Sequence, residues 1–157
     1  MKIAVFSDTH GSYAACEAIR ADCPGADLYI HLGDGYEQAR RLQMQEPALP
    51  LLSVKGNCDF AVSDADCKLT TFGGKRILFT HGHRFDVKNG LAALRAEAKR
   101  QGADIVLFGH THRQFREVID GALFLNPGSA VTAAGYRYAL LEIGQDGAVA
   151  ADWICAP

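Results

Sequence analysis

Asp, Asn and His recur at the ends of apolar runs in this chain. Those side chains are ligands for hard or borderline divalent cations. Asp8-Thr9-His10 follows residues 2–7, Gly33-Asp34 follows 28–32, and Gly56-Asn57-Cys58-Asp59 follows 51–54. His81-Gly82-His83 follows 77–80, and Gly109-His110-Thr111-His112 follows 104–108. One histidine after a strand carries little weight. Here five of the six (His10, His81, His83, His110 and His112) stand in such motifs, with Asp8 and Asp34 beside them. Polar groups gathered at buried strand ends are costly unless something binds them. Asp8/His10, His81/His83 and His110/His112 are each two residues apart. In extended backbone that spacing sends both side chains to one side. The chemistry to expect is cation-assisted: bound metal neutralises an anionic substrate and acidifies a water.

The elements that must position these residues follow from the same runs. Each run is of strand length and bounded by glycine, so each reads as a buried strand. In an open α/β sheet the loops past the carboxyl ends of the strands share one face, which would bring the motifs into one crevice. The expected order is strand 2–7, helix 12–22, strand 27–32, helix 36–45 and strand 50–55. A hairpin of 67–72 with 75–81 turns at Gly73-Gly74. A helix over 88–101 is closed by Gly102, and strand 104–109 follows. Two more pairs, 114–119 with 122–126 and 136–143 with 148–154, turn at Asp120-Gly121 and Asp146-Gly147. Strand–helix alternation in the first third argues for parallel units, and the last third reads as antiparallel. Two sheets packed face to face with helices outside, a layered α/β sandwich, accommodates both.

Composition sets the outer bounds. The 157 residues fit one domain, 1–157, and 48% hydrophobic with 22% charged residues is ordinary for a soluble globular protein. A net charge of -2 gives no field for long nucleic acid, yet a small anion is compatible with a metal that supplies positive charge. Five cysteines without a CxxC pair read as reduced thiols of a cytoplasmic protein rather than a disulfide framework or a thiolate zinc site. The N-terminus has no signal-peptide layout, and no apolar run approaches membrane-spanning length.

Taken in order, Asp8-x-His10, Gly33-Asp34, Gly56-Asn57-x-Asp59, His81 and Gly109-His110-x-His112 resemble the calcineurin-like metallophosphoesterase superfamily. The short build and the Asn126-Pro127-Gly128-Ser129 turn resemble its small prokaryotic phosphodiesterase branch. The resemblance spans residue 3 to about 130. It implies a four-layer αββα sandwich of two mixed β-sheets. It also implies a two-metal phosphoesterase, most simply a phosphodiesterase, working by in-line attack of a metal-bridging hydroxide. Carried over, Asp8, His10 and His112 hold one cation, Asn57, His81 and His110 the second, and Asp34 bridges them. His, carboxylate and amide ligands without thiolate suit Mn²⁺ first, with Fe²⁺, Zn²⁺, Mg²⁺ or Ni²⁺ as alternatives. Metal binding needs neutral His, so activity should fall in acid.

The chain departs from the family at Cys58, where many members have a His that stabilises the transition state or protonates the leaving group. His83, two residues past His81, either takes over that role or serves as a hydrogen-bond donor behind the ligands. Asp34 and Asn57 complete the expected catalytic set with His83. Asp59, which would orient the missing His, is expected to cap a turn or anchor a hydrogen bond. His31 lies inside an apolar run and reads as a core histidine. Arg84 and Arg113 are either phosphate contacts or solvated surface residues. Expected partners are a small phosphate ester and, through exposed edge strands of the last third, a second copy of the chain. A phosphomonoesterase or nucleotide pyrophosphohydrolase would use the same residues, and a non-catalytic scaffold would have lost some of them.

Overall fold

Residues Ile3–Phe6 are apolar on both faces of an extended segment, so the strand they form must be covered twice. A computed structural model describing all residues, Met1–Pro157, shows how. The elements begin β1 (Lys2–Phe6), α1 (Tyr13–Asp22), β2 (Leu28–His31), α2 (Tyr36–Gln45), β3 (Leu51–Ser53), β4 (Cys67–Phe72) and β5 (Lys75–Thr80). A single 3-10 turn (His83–Phe85) precedes α3 (Ala92–Gln101) and β6 (Ile105–Phe108). The chain closes with β7 (Gln114–Ile119), β8 (Ala122–Pro127), β9 (Val131–Thr132), β10 (Gly135–Ile143) and β11 (Val149–Ala156).

One sheet runs β11-β10-β1-β2-β3, with β9 paired to β10, and the other runs β4-β5-β6-β8-β7. Both are mixed: β1–β2–β3 and β5–β6–β8 are parallel, and the flanking strands are antiparallel. Successive side chains alternate faces. Ile3 and Val5 therefore meet Ile77, Phe79, Ile105 and Leu107 between the sheets, while Ala4 and Phe6 turn outward to Cys16 and Ile19 of α1 and Leu42 of α2. On the far side Leu78, Val106 and Phe108 pack on Leu94 and Ala98 of α3. The result is the expected αββα sandwich. Burying a ring such as Phe6 rather than leaving it in water contributes about 2–3 kcal/mol.

Local chemistry sets the helix ends. The Ser12 hydroxyl accepts the Ala15 N–H at 3.2 Å and starts α1. Gly102, with φ +61°, closes α3 in the left-handed conformation that glycine adopts without strain. The helix expected from residue 88 begins instead at Ala92. Asp86 at φ 52° and Gly90 at φ 145° break the helical path before it. The third strand is shorter than expected, Leu51–Ser53, and β9 was not anticipated.

Register decides where the motifs emerge. Phe6 pairs with His31 across β1–β2, and Thr80 with Phe108 across β5–β6. The chain therefore leaves neighbouring strands at one level, and the motif loops of both sheets meet there. The crevice thus lies across two facing sheets rather than along one open sheet.

Candidate metal centre

All seven side chains singled out as ligands converge. His112 Nε2 lies 3.2 Å from both His10 Nε2 and Asp8 Oδ1. His81 Nε2 lies 3.1 Å from His110 Nδ1, 3.2 Å from Asn57 Oδ1 and 3.5 Å from Asp34 Oδ2. Around a cation with bonds of about 2.1 Å, neighbouring ligand atoms stand about 3.0–3.4 Å apart. The observed spacings match those distances in two clusters. Asp34 groups with His10 and Cys58 on one side and with His81 and His110 on the other. Its carboxylate therefore stands between the two clusters.

Further observations fit cations here. Asp8 Oδ1 is buried without a hydrogen-bond partner, and such an oxygen is costly unless a cation meets it. His81 Nδ1 donates to the Leu32 carbonyl at 2.8 Å, which aims Nε2 at the cluster. Burial by itself lowers the His81 pKa, but the Asp34 and Asp8 carboxylates outweigh it and hold it above the ordinary value. A point that draws a proton onto His81 draws a divalent cation for the same reason. Burial would likewise raise Asp34, yet contacts from His81 and the Cys58 N–H hold its carboxyl well below the usual carboxylate range. His110 is pushed down to about 4 by burial, then by the charges of His81 and Lys88, so its ring stays neutral and free to ligate.

The backbone overturns one expectation. Asp8, His10, Asp34, His110 and His112 all have positive φ, between 43° and 66°. The pairs Asp8/His10 and His110/His112 share a pocket through left-handed turns, not through extended alternation. Non-glycine residues in this region cost roughly 1 kcal/mol or more each. His81/His83 departs differently, since His83 opens the 3-10 turn. It still packs near the ligands, with ring centroids 5.4 Å from His81 and 6.2 Å from His110. Its Nδ1 is buried without a partner, and burial, then the His81 charge, lowers its pKa.

Asp59 has the structural part expected of it, on a larger scale. Its carboxylate accepts the N–H groups of Asp34, Gly35, Tyr36 and Gly56 at 2.7–3.0 Å. Two loops that approach across 25 residues of sequence are clamped by one side chain. Asp59→Ala leaves those donors unmet and is expected to destabilise the fold by about 2–4 kcal/mol, whereas Asp59→Glu recovers part of the loss. Urea unfolding of both variants checks this, and a loss below about 1 kcal/mol for Asp59→Ala would contradict it.

His31 is the last residue of β2, fully buried, and satisfied as a core histidine. Nδ1 accepts the Gly33 N–H at 3.3 Å, and Nε2 faces Thr9 Oγ1 at 3.3 Å. Burial pushes its pKa down to about 4. Above about pH 6.5 the ring is neutral in folded and unfolded chains alike. Below that the unfolded chain takes up a proton that the folded chain refuses. Stability is therefore lost as pH falls from about 6.5 to about 4, by about 3 kcal/mol in all. His31→Gln should remove that share of the pH slope in urea unfolding, and equal slopes would exclude it.

Of the remaining candidates, Arg84 is held by Asp66 at 3.3 Å and stands at the surface. The Asn126 carboxamide does more than turn the chain: it donates to the Gly109 carbonyl at 2.9 Å and to Thr111 Oγ1 at 3.1 Å, bracing the His110–His112 loop. Sequence reading had no signal for Lys88, an exposed turn residue whose charge reaches His110.

Comparison with known proteins accords with this geometry. Residues 1–146 match the model of the calcineurin-like phosphoesterase superfamily domain. The probable metallophosphoesterase YsnB of Bacillus subtilis is 39% identical over 153 residues, which cover 94% of this chain and 88% of that protein. The phosphodiesterase YfcE of Escherichia coli K12 is 30% identical over 158 residues, covering 86% and 82%. A predicted phosphoesterase of Streptococcus pneumoniae TIGR4, solved by crystallography, has a TM-score of 0.80 at 29% identity and covers 98% of this chain and 96% of that one.

Proposed function

Because the chain belongs to the calcineurin-like phosphoesterase superfamily and is a phosphoric ester hydrolase, we propose that it is a dinuclear phosphodiesterase acting as one domain. The observation that carries this reading is the pair of ligand groups with the Asp34 carboxylate between them. Asp8, His10 and His112 would hold one cation, Asn57, His81 and His110 the other, and Asp34 both. The metal we favour is Mn²⁺, since imidazole, carboxylate and amide donors suit it. Bound there, the cations would neutralise the phosphate ester and supply a nucleophile from water at neutral pH.

The chain's own residues then do the rest. Asp8 and Asp34 would supply the negative charge that fixes the cations. Asp59 and Asn126 hold the loops that carry the ligands. His83, with an unpartnered ring nitrogen beside His81 and His110, would donate a hydrogen bond to the leaving oxygen. Cys58, a weak donor, would not. We expect His83→Ala to lower kcat/KM by about 10²-fold on a diester with an alkoxide leaving group and much less on a 4-nitrophenyl diester. Equal losses on both would remove His83 from this role.

We place the protein in the cytoplasm, in keeping with its five free cysteines; no helix is long and apolar enough to cross a membrane. A second copy could pair along the edge strands β7 or β11. The deciding experiment treats the protein with chelator, reloads it with Mn²⁺, Fe²⁺, Zn²⁺, Mg²⁺ or Ni²⁺, and compares bis(4-nitrophenyl) phosphate with 4-nitrophenyl phosphate. Turnover lost on chelation, restored by metal and faster on the diester supports the proposal. Faster turnover of the monoester would reassign the enzyme as a phosphomonoesterase.

A further inference from the structure

The ligand loop His110–His112 has a second face. Thr111, between two of the proposed ligands, lines a recess of about 530 Å³ shared with the 86–91 turn and β7. That volume is within the range of small-molecule sites. Its floor is an aromatic pair, buried Phe108 and half-buried Phe115, with ring centroids 5.8 Å apart. Leu91 continues the apolar wall. Two cations, Lys88 and Arg113, stand at the recess and are exposed. Arg95 and Arg100 on α3 are tied to Asp120 and Glu97, but neither Lys88 nor Arg113 has an ion-pair partner, and no acidic residue lines the recess.

An apolar, partly aromatic floor with two unpaired cations fits one kind of occupant. Resting on the phosphodiesterase reading, we propose that this recess binds a substituent of the substrate, one that joins a planar apolar body to a second anionic group. The body would lie on Phe115 and Leu91, and Lys88 and Arg113 would pair with the anion. Two observations set the recess beside the proposed centre: Thr111 is flanked in the chain by His110 and His112, and the charge of Lys88 at the recess reaches the His110 ring. A separate recess of about 490 Å³ on the His10 and Asp34 side is lined by proposed ligands and by Glu37 and Asp59, with no Lys or Arg.

The test uses three mixed diesters of 4-nitrophenol, hydrolysed by the Mn²⁺-loaded enzyme. The second substituent is methyl, phenyl or 4-carboxyphenyl, and release of 4-nitrophenolate is followed. The wild type is expected to favour phenyl over methyl by about 10-fold in kcat/KM and 4-carboxyphenyl over phenyl by a further 5- to 10-fold, mostly through KM. In the Lys88→Gln/Arg113→Gln double variant, whose changed side chains are exposed, the 4-carboxyphenyl-to-phenyl ratio should fall to one or below. In Phe115→Leu the phenyl-to-methyl ratio should shrink. A carboxylate preference that survives the double variant, or a wild type indifferent to the carboxylate, overturns the subsite while hydrolysis of the three diesters leaves the phosphodiesterase reading standing. Failure to hydrolyse any of them sinks the phosphodiesterase reading itself, and the subsite with it.

Discussion

Asp34→Ala is expected to lower kcat/KM by at least about 10³-fold and to cut bound metal from two ions per chain to one or none. Every other proposed ligand serves one cation, so its loss weakens one site. Asp34 groups with His10 on one side and with His81 and His110 on the other, so it is the one residue proposed to serve both. Removing its carboxylate would take a negative charge from both proposed cations and leave their mutual repulsion less screened. It also strips His81 of its nearest carboxylate oxygen, 3.5 Å from Nε2, and leaves the Cys58 N–H without an acceptor. Asp34→Asn keeps the shape and one acceptor oxygen but not the charge, and should fall between wild type and Asp34→Ala. Steady-state kinetics with elemental analysis of the dialysed protein checks both. Two ions retained per chain in Asp34→Ala, with more than a tenth of the activity, would remove the bridge from the mechanism.

Gly56→Ala is expected to act nearly as severely without replacing a ligand. A methyl at residue 56 would overlap the Asp34 carboxylate and backbone amide, with Asp34 Cγ only 2.8 Å away. The facing residue Gly33, at φ +91°, leaves no room either: a methyl there would stand 2.8 Å from Gly56 Cα. The two backbones touch, so neither can retreat. Either Asp34 swings out of the centre or the Asp59 clamp opens. We expect a loss of about 10²-fold or more in kcat/KM and about 2–4 kcal/mol in stability. Gly25→Ala is the control, since a methyl there meets nothing within 4 Å and should change stability by less than about 1 kcal/mol. Gly56→Ala with wild-type kinetics would show that the loops yield more easily than their packing implies.

The fold was legible where residue type and period coincide. The apolar runs at β1, β2, β5 and β6, and the dipeptides Gly73-Gly74, Asp120-Gly121 and Asp146-Gly147, marked strands and turns that the structure contains. The convergence of Asp8, His10, Asp34, Asn57, His81, His110 and His112 was legible because few folds place those residue types at strand ends in that order. Their backbone conformation was not. His seldom enters the left-handed region and Asp does so mainly in local turns such as Asp120-Gly121, so these conformations rest on contacts with other loops. The same limit hid the length of the Asp59 clamp, whose partners lie up to 25 residues away in sequence. The start of α3 was misplaced because Leu91, Leu94 and Ala98 set the helical face without fixing its first turn. Gly90 was the available signal, and the 3-10 turn at His83–Phe85 had none.

The left-handed turns also bear on how such a chain would age if selection for hydrolysis lapsed. Five side chains now occupy conformations better suited to glycine. Replacing His10, His110 or His112 by glycine would relieve about 1 kcal/mol of that strain, whereas Asp8 and Asp34 sit there as readily as asparagine and accept backbone N–H groups. A descendant freed from catalysis would therefore drift toward Gly or Asn at 10, 110 and 112 and grow sturdier as it did so. His still standing at those three places in a descendant would record that hydrolysis is under selection.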